Sequence, residues 1–116
     1  EEEGNLIVGS WGAVMEGWGT PELKGSLKSI NIHTKEIKNL GKKPIGNLDG
    51  IEPDGKGSYF VTDWTGAKLY NINKKGKFKV IAEVGKGAAD HEVILDKNLI
   101  IIPVMAEGKV IALKVK

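Results

Sequence analysis

One unit of sequence occurs three times in this chain of 116 residues. Asn5-Leu-Ile-Val-Gly-Ser-Trp11 is matched by Ser58-Tyr-Phe-Val-Thr-Asp-Trp64 and, more loosely, by Asn98-Leu-Ile-Ile-Ile-Pro-Val104. A second run follows each of them: Leu27 to Ile32, Lys68 to Ile72 and Lys109 to Leu113. From Ile32 to Ile72 is 40 residues, and from Ile72 to Leu113 is 41. Each run is short, rich in Val, Ile and Tyr, and bounded by Gly, Asn, Asp or Pro, which is the pattern of strands and tight turns. No window keeps a 3.6-residue apolar period long enough for a helix, so helical repeats of similar length are excluded. A period near 40 residues carrying several short strands predicts the four-stranded blades of a β-propeller.

The expected fold is therefore all-β, a partial propeller of about two and a half to three four-stranded antiparallel blades forming one incomplete domain over residues 1–116. The blade units run over about 5–45, 46–86 and 87–116. The central unit is the template: strands at Asp49 to Glu52, Ser58 to Asp63, Ala67 to Asn73 and Lys77 to Glu83, with an Asp54-Gly55-Lys56-Gly57 turn after the first. The first unit is expected to lack its inner strand and the last its outer strand, giving ten strands, three plus four plus three. Open sheet edges and uncovered sheet faces are a liability in water. The expected partners are therefore N-terminal blades preceding Glu1 or a second copy of the chain.

Composition narrows the chemistry. Net charge is +2 and all 17 basic residues are lysine, so neither a strong field nor the planar bidentate donor of guanine and phosphate recognition is present, and nucleic acid is not an expected partner. Without cysteine there is no disulfide, thiolate metal site or thiol nucleophile. The longest apolar run, Leu99 to Val104, is far short of the roughly 20 residues of a membrane-spanning helix, so no membrane insertion is expected.

Function on a propeller gathers where the loops and inner-strand starts surround the central channel. Those starts carry Asn47-Leu48-Asp49-Gly50-Ile51 and Ala88-Ala89-Asp90-His91-Glu92. Asp49 and Asp90, 41 residues apart, are read as equivalent, and the residues alone suit them to capping backbone N–H groups where the chain enters the inner strand, since Asp-Gly is also a turn signal. His91 has no second histidine at helical spacing, and with Glu92 it is expected at the surface or lining the channel. His33 reads as turn surface. Asp54 to Gly57 lacks the alternating oxygens and terminal Glu of a calcium loop and is expected to be a hairpin turn. Trp11 and Trp64 are expected to pack between blades. The long connection from Gly12 to Gly25 contrasts with the short one at Thr65-Gly66, so Met15, Glu16 and Trp18 are candidates for a lid or ligand wall, or for packing on a neighbouring blade.

Leu48-Asp49-Gly50-Ile51 followed by Asp54-Gly55-Lys56-Gly57-Ser58-Tyr59-Phe60-Val61 resembles the blade signature of the gluconolactonase and senescence-marker-protein group of six-bladed, NHL-type propellers. Gly87 to Asp90 and Leu99 to Pro103 resemble the last blade of bacterial relatives in that group. Leu48 stands where the signature usually has Pro. The resemblance implies a metal-dependent hydrolase of a small lactone or related ester in the complete ring. The divalent cation (Ca, Mg, Mn or Zn) would lie on the axis, with Asp49 and its repeat counterpart Asp90 as candidate ligands and Asp49 as candidate general base. The family's Glu and Asn ligands would fall on blades before Glu1, so tight metal binding by this chain alone is not expected. Export to the periplasm or outside the cell is also implied. The rival reading is a non-catalytic binding scaffold or a self-assembling fragment, since propellers host many unrelated functions.

Overall fold

The computed structural model describes residues 2–14 and 21–115. Within them the protein is all-β, with twelve strands and two single 3-10 turns at Leu95–Lys97 and Met105–Glu107. β1 (Asn5–Gly9), β4 (Leu27–Asn31) and β5 (Ile37–Leu40) form a first sheet, and β2 (Gly12–Val14) pairs with β3 (Pro21–Lys24) as a separate hairpin. β6 (Leu48–Pro53), β7 (Ser58–Asp63), β8 (Lys68–Asn73) and β9 (Phe78–Glu83) form a second sheet. The third contains β10 (Glu92–Ile94), β11 (Leu99–Val104) and β12 (Lys109–Lys114). Every pairing is antiparallel between sequence neighbours of the sheet, and no sheet closes on itself among the described residues.

The three main sheets contain the ten strands expected from the repeats. The two additional strands come from the Gly12 to Gly25 connection, whose flanks pair with a register shift at Ala13 and Val14 instead of running free. Local chemistry sets the turns. In the β4–β5, β6–β7 and β8–β9 hairpins a short polar side chain accepts from backbone N–H groups just ahead of it, holding the chain in a reversal. Asn31 Oδ1 takes His33 and Thr34, both at 2.9 Å. Asp54 Oδ1 takes Lys56 at 2.7 Å and Ser58 at 2.9 Å. Asn73 Oδ1 takes Lys75 at 2.9 Å and Lys77 at 3.1 Å. The third sheet makes its turns differently, ending each 3-10 turn on a left-handed residue, Asn98 (φ 50°) and Gly108 (φ 60°).

Period-two side-chain alternation then stacks the sheets face to face. Tyr59 and Val61 of β7, with Tyr70 and Ile72 of β8, point to one side and pack with Leu27, Ile7 and Leu40 of the first sheet. Phe60 and Leu69 point to the other side and pack with Ile100, Ile102 and Val104 of the third. Leu27, Val61, Leu69, Ile72, Ile100, Ile102 and Val104 have no accessible surface. Each such aliphatic contributes on the order of 2 kcal/mol of burial, so these two seams drive the stacking. The result is a slab of 39 × 39 × 21 Å, with the second sheet between the other two.

Backbone ties cross each seam. Ile45 N–H and Gly25 N–H exchange bonds with Gly25 and Gly46 carbonyls at 2.7 Å where the chain leaves the first sheet. Val84 N–H donates to Ala67 O at 2.8 Å and Gly87 N–H to Trp64 O at 3.0 Å where it leaves the second. The Trp11 and Trp64 rings, which follow β1 and β7, lie with centroids 6.3 Å apart across the first seam. No helix among the described residues is long and apolar enough to cross a membrane.

Candidate functional site

β6 and β10 are the first strands of the second and third sheets, each at a sheet edge, and lie next to each other. A bulge between Leu48 and Ile51 turns Asp49 outward into solvent while Gly50 stays buried. Asp90 is also exposed and lies just before β10, whose first residue is Glu92. Strand register corrects the pairing read from spacing. Leu48 pairs with Asp63 and Ala88 bridges to Val104, so positions on β6 and β10 recur at 40 residues, one fewer than in the neighbouring strands. Ala89 therefore matches Asp49, Asp90 matches Gly50, and Glu92 matches Glu52.

The two aspartates nevertheless converge, because the β6 and β10 edges lie side by side. Burial, and then the Asp90 charge, raise the Asp49 carboxyl above its ordinary value, while the Asp90 backbone N–H partly offsets this. Burial, then Glu92 and Asp90, raise Glu52 as well. None of the ion pairs among the described residues involves these four carboxylates. The edge thus holds negative charge without a counter-charge. Among the described residues no group of three or more His, Asp or Glu side chains has the geometry to hold a metal.

These shifts have a sign that can be tested. A raised carboxyl holds its proton more readily in the folded chain, so folding stability falls as pH climbs through the raised values of Asp49 and Glu52 and is higher below them. The expected result for Asp90→Asn is a gain of about 0.5 kcal/mol or less at pH 7, because exposed charges are screened, and no gain near pH 3, where the carboxyls are protonated. Paired urea titrations at the two pH values check it, and an equal gain at both would reject charge repulsion as the cause.

His91 is neither a surface nor a channel-lining residue: its side chain is buried at the seam between the second and third sheets. Neither ring nitrogen has a hydrogen-bond partner among the described residues. Burial lowers its pKa, with Asp90 and the Phe60 backbone acting in the opposite direction. Only glycine fits opposite it, since a Cβ on Gly50 would come within 2.7 Å of His91 Nδ1 and 2.8 Å of Asp90 Cα. Glu92, the next residue, is exposed.

A polar network that sequence reading passed over lies behind this edge. Asp63, 2 % exposed, ends β7; its Oδ1 accepts from Asn47 N–H at 3.0 Å and Gly66 N–H at 3.1 Å, and its Oδ2 from Tyr70 O–H at 3.0 Å. Burial and the Asp63 carboxylate push the Tyr70 phenol up to about 12. Asn47, 1 % exposed, donates from Nδ2 to Trp11 O at 2.8 Å and accepts from Thr65 Oγ1, tying the first sheet to the second. Thr62 ties the second to the third, accepting from Gly50 N–H and donating to Ala89 O, both at 2.9 Å. The only signal in the sequence was a charged residue closing an otherwise apolar strand beside a turn.

Met15, Glu16 and Trp18 lie outside the described residues. The β2–β3 hairpin that flanks them forms one wall of a groove of about 440 Å³, which also takes in Lys24, Lys28, Lys42 and Lys43. Lys28 Nζ donates to Asn39 Oδ1 at 2.6 Å, and none of the four lysines is in an ion pair with a described residue. Both Asp54 oxygens are occupied within the protein, Oδ2 by Asn71 Nδ2 at 3.0 Å, so this carboxylate holds a turn. Comparison with protein-family models, curated proteins and solved structures finds no match for this chain.

Proposed function

We propose that the three sheets are successive blades of a β-propeller and that the β6–β10 edge faces its axis. The complete ring would be a metal-dependent hydrolase of a small lactone or ester, as the sequence resemblance implies. The observation that supports this reading is the convergence of Asp49 and Asp90 on one solvent-facing edge, with Asp49 held above its ordinary pKa and in no ion pair among the described residues. Hard divalent cations take oxygen ligands of this kind. Two carboxylates are part of a ligand set and not the whole of one, so further oxygens would come from other blades of the ring. When bound, such a cation polarises a carbonyl or activates water. In this chain, Asp49 would supply charge at the axis and accept a proton, Thr62 would fix the backbone of Gly50 beside it, and Asn47 would anchor the start of the inner strand.

The test is lactone hydrolysis by the ring-complete protein with calcium, manganese or zinc supplied. Asp49→Asn is expected to lose about 100-fold or more in rate, the scale of a general base. An unchanged rate would remove Asp49 from the chemistry. A second reading, a binding scaffold without catalysis, is favoured by the absence of a three-ligand group among the described residues and by the unpaired lysines of the β2–β3 groove. It predicts that no divalent cation changes the melting temperature of the assembled protein.

A further inference from the structure

Each seam between neighbouring sheets joins two unlike faces. At the second seam, Phe60 and Leu69 of the second sheet meet Ile100, Ile102 and Ile111 of the third. At the first, Ile7 and Leu27 of the first sheet meet Tyr59, Val61 and Ile72 of the second. Every sheet thus has a leading face, carrying residues like Phe60 and Leu69, and a trailing face, carrying residues like Tyr59 and Val61. On the third sheet, strand register puts Ile101 and Val110 at the positions of Phe60 and Leu69. On the first sheet, Leu6, Val8 and Ile30 hold the positions of Tyr59, Val61 and Ile72.

These two end faces are largely apolar, with the Lys28–Asn39 pair beside Val8 on the first sheet, and nothing among the described residues covers them. Val110 is 67 % exposed, Leu6 44 % and Ile37, beside Ile30, 61 %. Leu69 and Tyr59, which occupy the matching positions inside the stack, are 0 % and 3 % exposed. The chain therefore displays both halves of a junction that it already builds twice. Resting on the blade reading above, we infer that a second copy of this chain covers both faces, the third sheet of each copy packing on the first sheet of the other. The contact is head to tail, and two copies closing on each other leave neither face in water, whereas an open arrangement would leave one of each exposed and propagate. Closure also brings the carboxylate edges of the two copies round one centre.

Sedimentation equilibrium of the 116-residue chain at tens of micromolar tests this, with near-UV circular dichroism of the Trp11–Trp64 pair reporting the internal stack. The expected mass is twice 12.5 kDa. Leu6→Glu and Val110→Lys are surface changes that should leave the dichroism intact, yet each should weaken dimerisation about 30-fold or more, the scale of a central interface residue. Mixed together, the two variants should recover a heterodimer, because one junction between them is unaltered and the other pairs Glu with Lys. A monomeric parent chain with intact tryptophan dichroism would overturn the second copy and leave the blade reading standing. A parent chain without that dichroism would overturn both. Higher oligomers, or a dimer broken by only one of the two variants, would also overturn the head-to-tail ring.

Discussion

Alanine at Asp63 is expected to lower the unfolding free energy by about 3 kcal/mol, a large part of what a domain of this size has to spare. Removing the carboxylate leaves three buried donors, the N–H groups of Asn47 and Gly66 and the Tyr70 hydroxyl, without an acceptor. Each orphaned donor costs about 1–3 kcal/mol, partly relieved by water entering the space. Gly66 sharpens the effect, because a Cβ there would come within 2.1 Å of Asp63 Oδ2, so the backbone has been laid directly against this carboxylate. Tyr70→Phe deletes a single donor and should cost about 1 kcal/mol. In the double variant the two losses should fall short of additivity by a similar amount, since the two groups bond to each other. Urea titration of the four proteins settles the matter. A cost below about 1 kcal/mol for Asp63→Ala would mean that the carboxylate does not hold the start of β6, the β7–β8 turn and Tyr70 together.

Gly50→Ala is expected to cost about 2–3 kcal/mol, the upper part of the range for overpacking a closed site. The added methyl would meet His91 Nδ1 and also the Asp90 main chain at Cα, so no rotamer change can accommodate it and β10 must move away from β6. Two further readouts follow from that movement. Amide exchange at Val93 and Ile100 should quicken, because both pack into the second seam. The His91 imidazole, released from burial, should titrate nearer the ordinary value of about 6.5 by NMR. With His91 buried, the unfolded chain takes up a proton that the folded one resists, so stability declines as pH falls below about 6.5, and this decline should shrink in Gly50→Ala. A variant that melts with the parent and keeps its exchange rates would show that the seam can yield at no cost.

Strand identity was legible in the residues themselves. The aromatic and β-branched run at Ser58 to Asp63 and the Ile-rich run at Leu99 to Val104 became β7 and β11 residue for residue, because alternation and turn chemistry are local. The Asp54 turn was legible for the same reason: its carboxylate bonds to amides two and four residues ahead. The match of Asp49 to Asp90 failed because the turn between Ile94 and Leu99 is one residue shorter than the turn between Pro53 and Tyr59, which counting along the later strands does not register. His91 was misplaced because an isolated histidine between two acidic residues looks solvated. It is the packing of β10 against Gly50 that closes over it.

By itself the sequence determined an all-β chain of repeated antiparallel units, with their hairpin turns, since these follow from side-chain period and from hydrogen bonds that span only a few residues. Only the tertiary structure decided which faces meet, that Asn47 and Thr62 join the sheets from inside, that Asp63 is buried among three donors, and that Asp49 and Asp90 share one edge without an ion-pair partner among the described residues. Those relations depend on stacking distant strands through apolar burial, a nonlocal free energy that no single segment encodes.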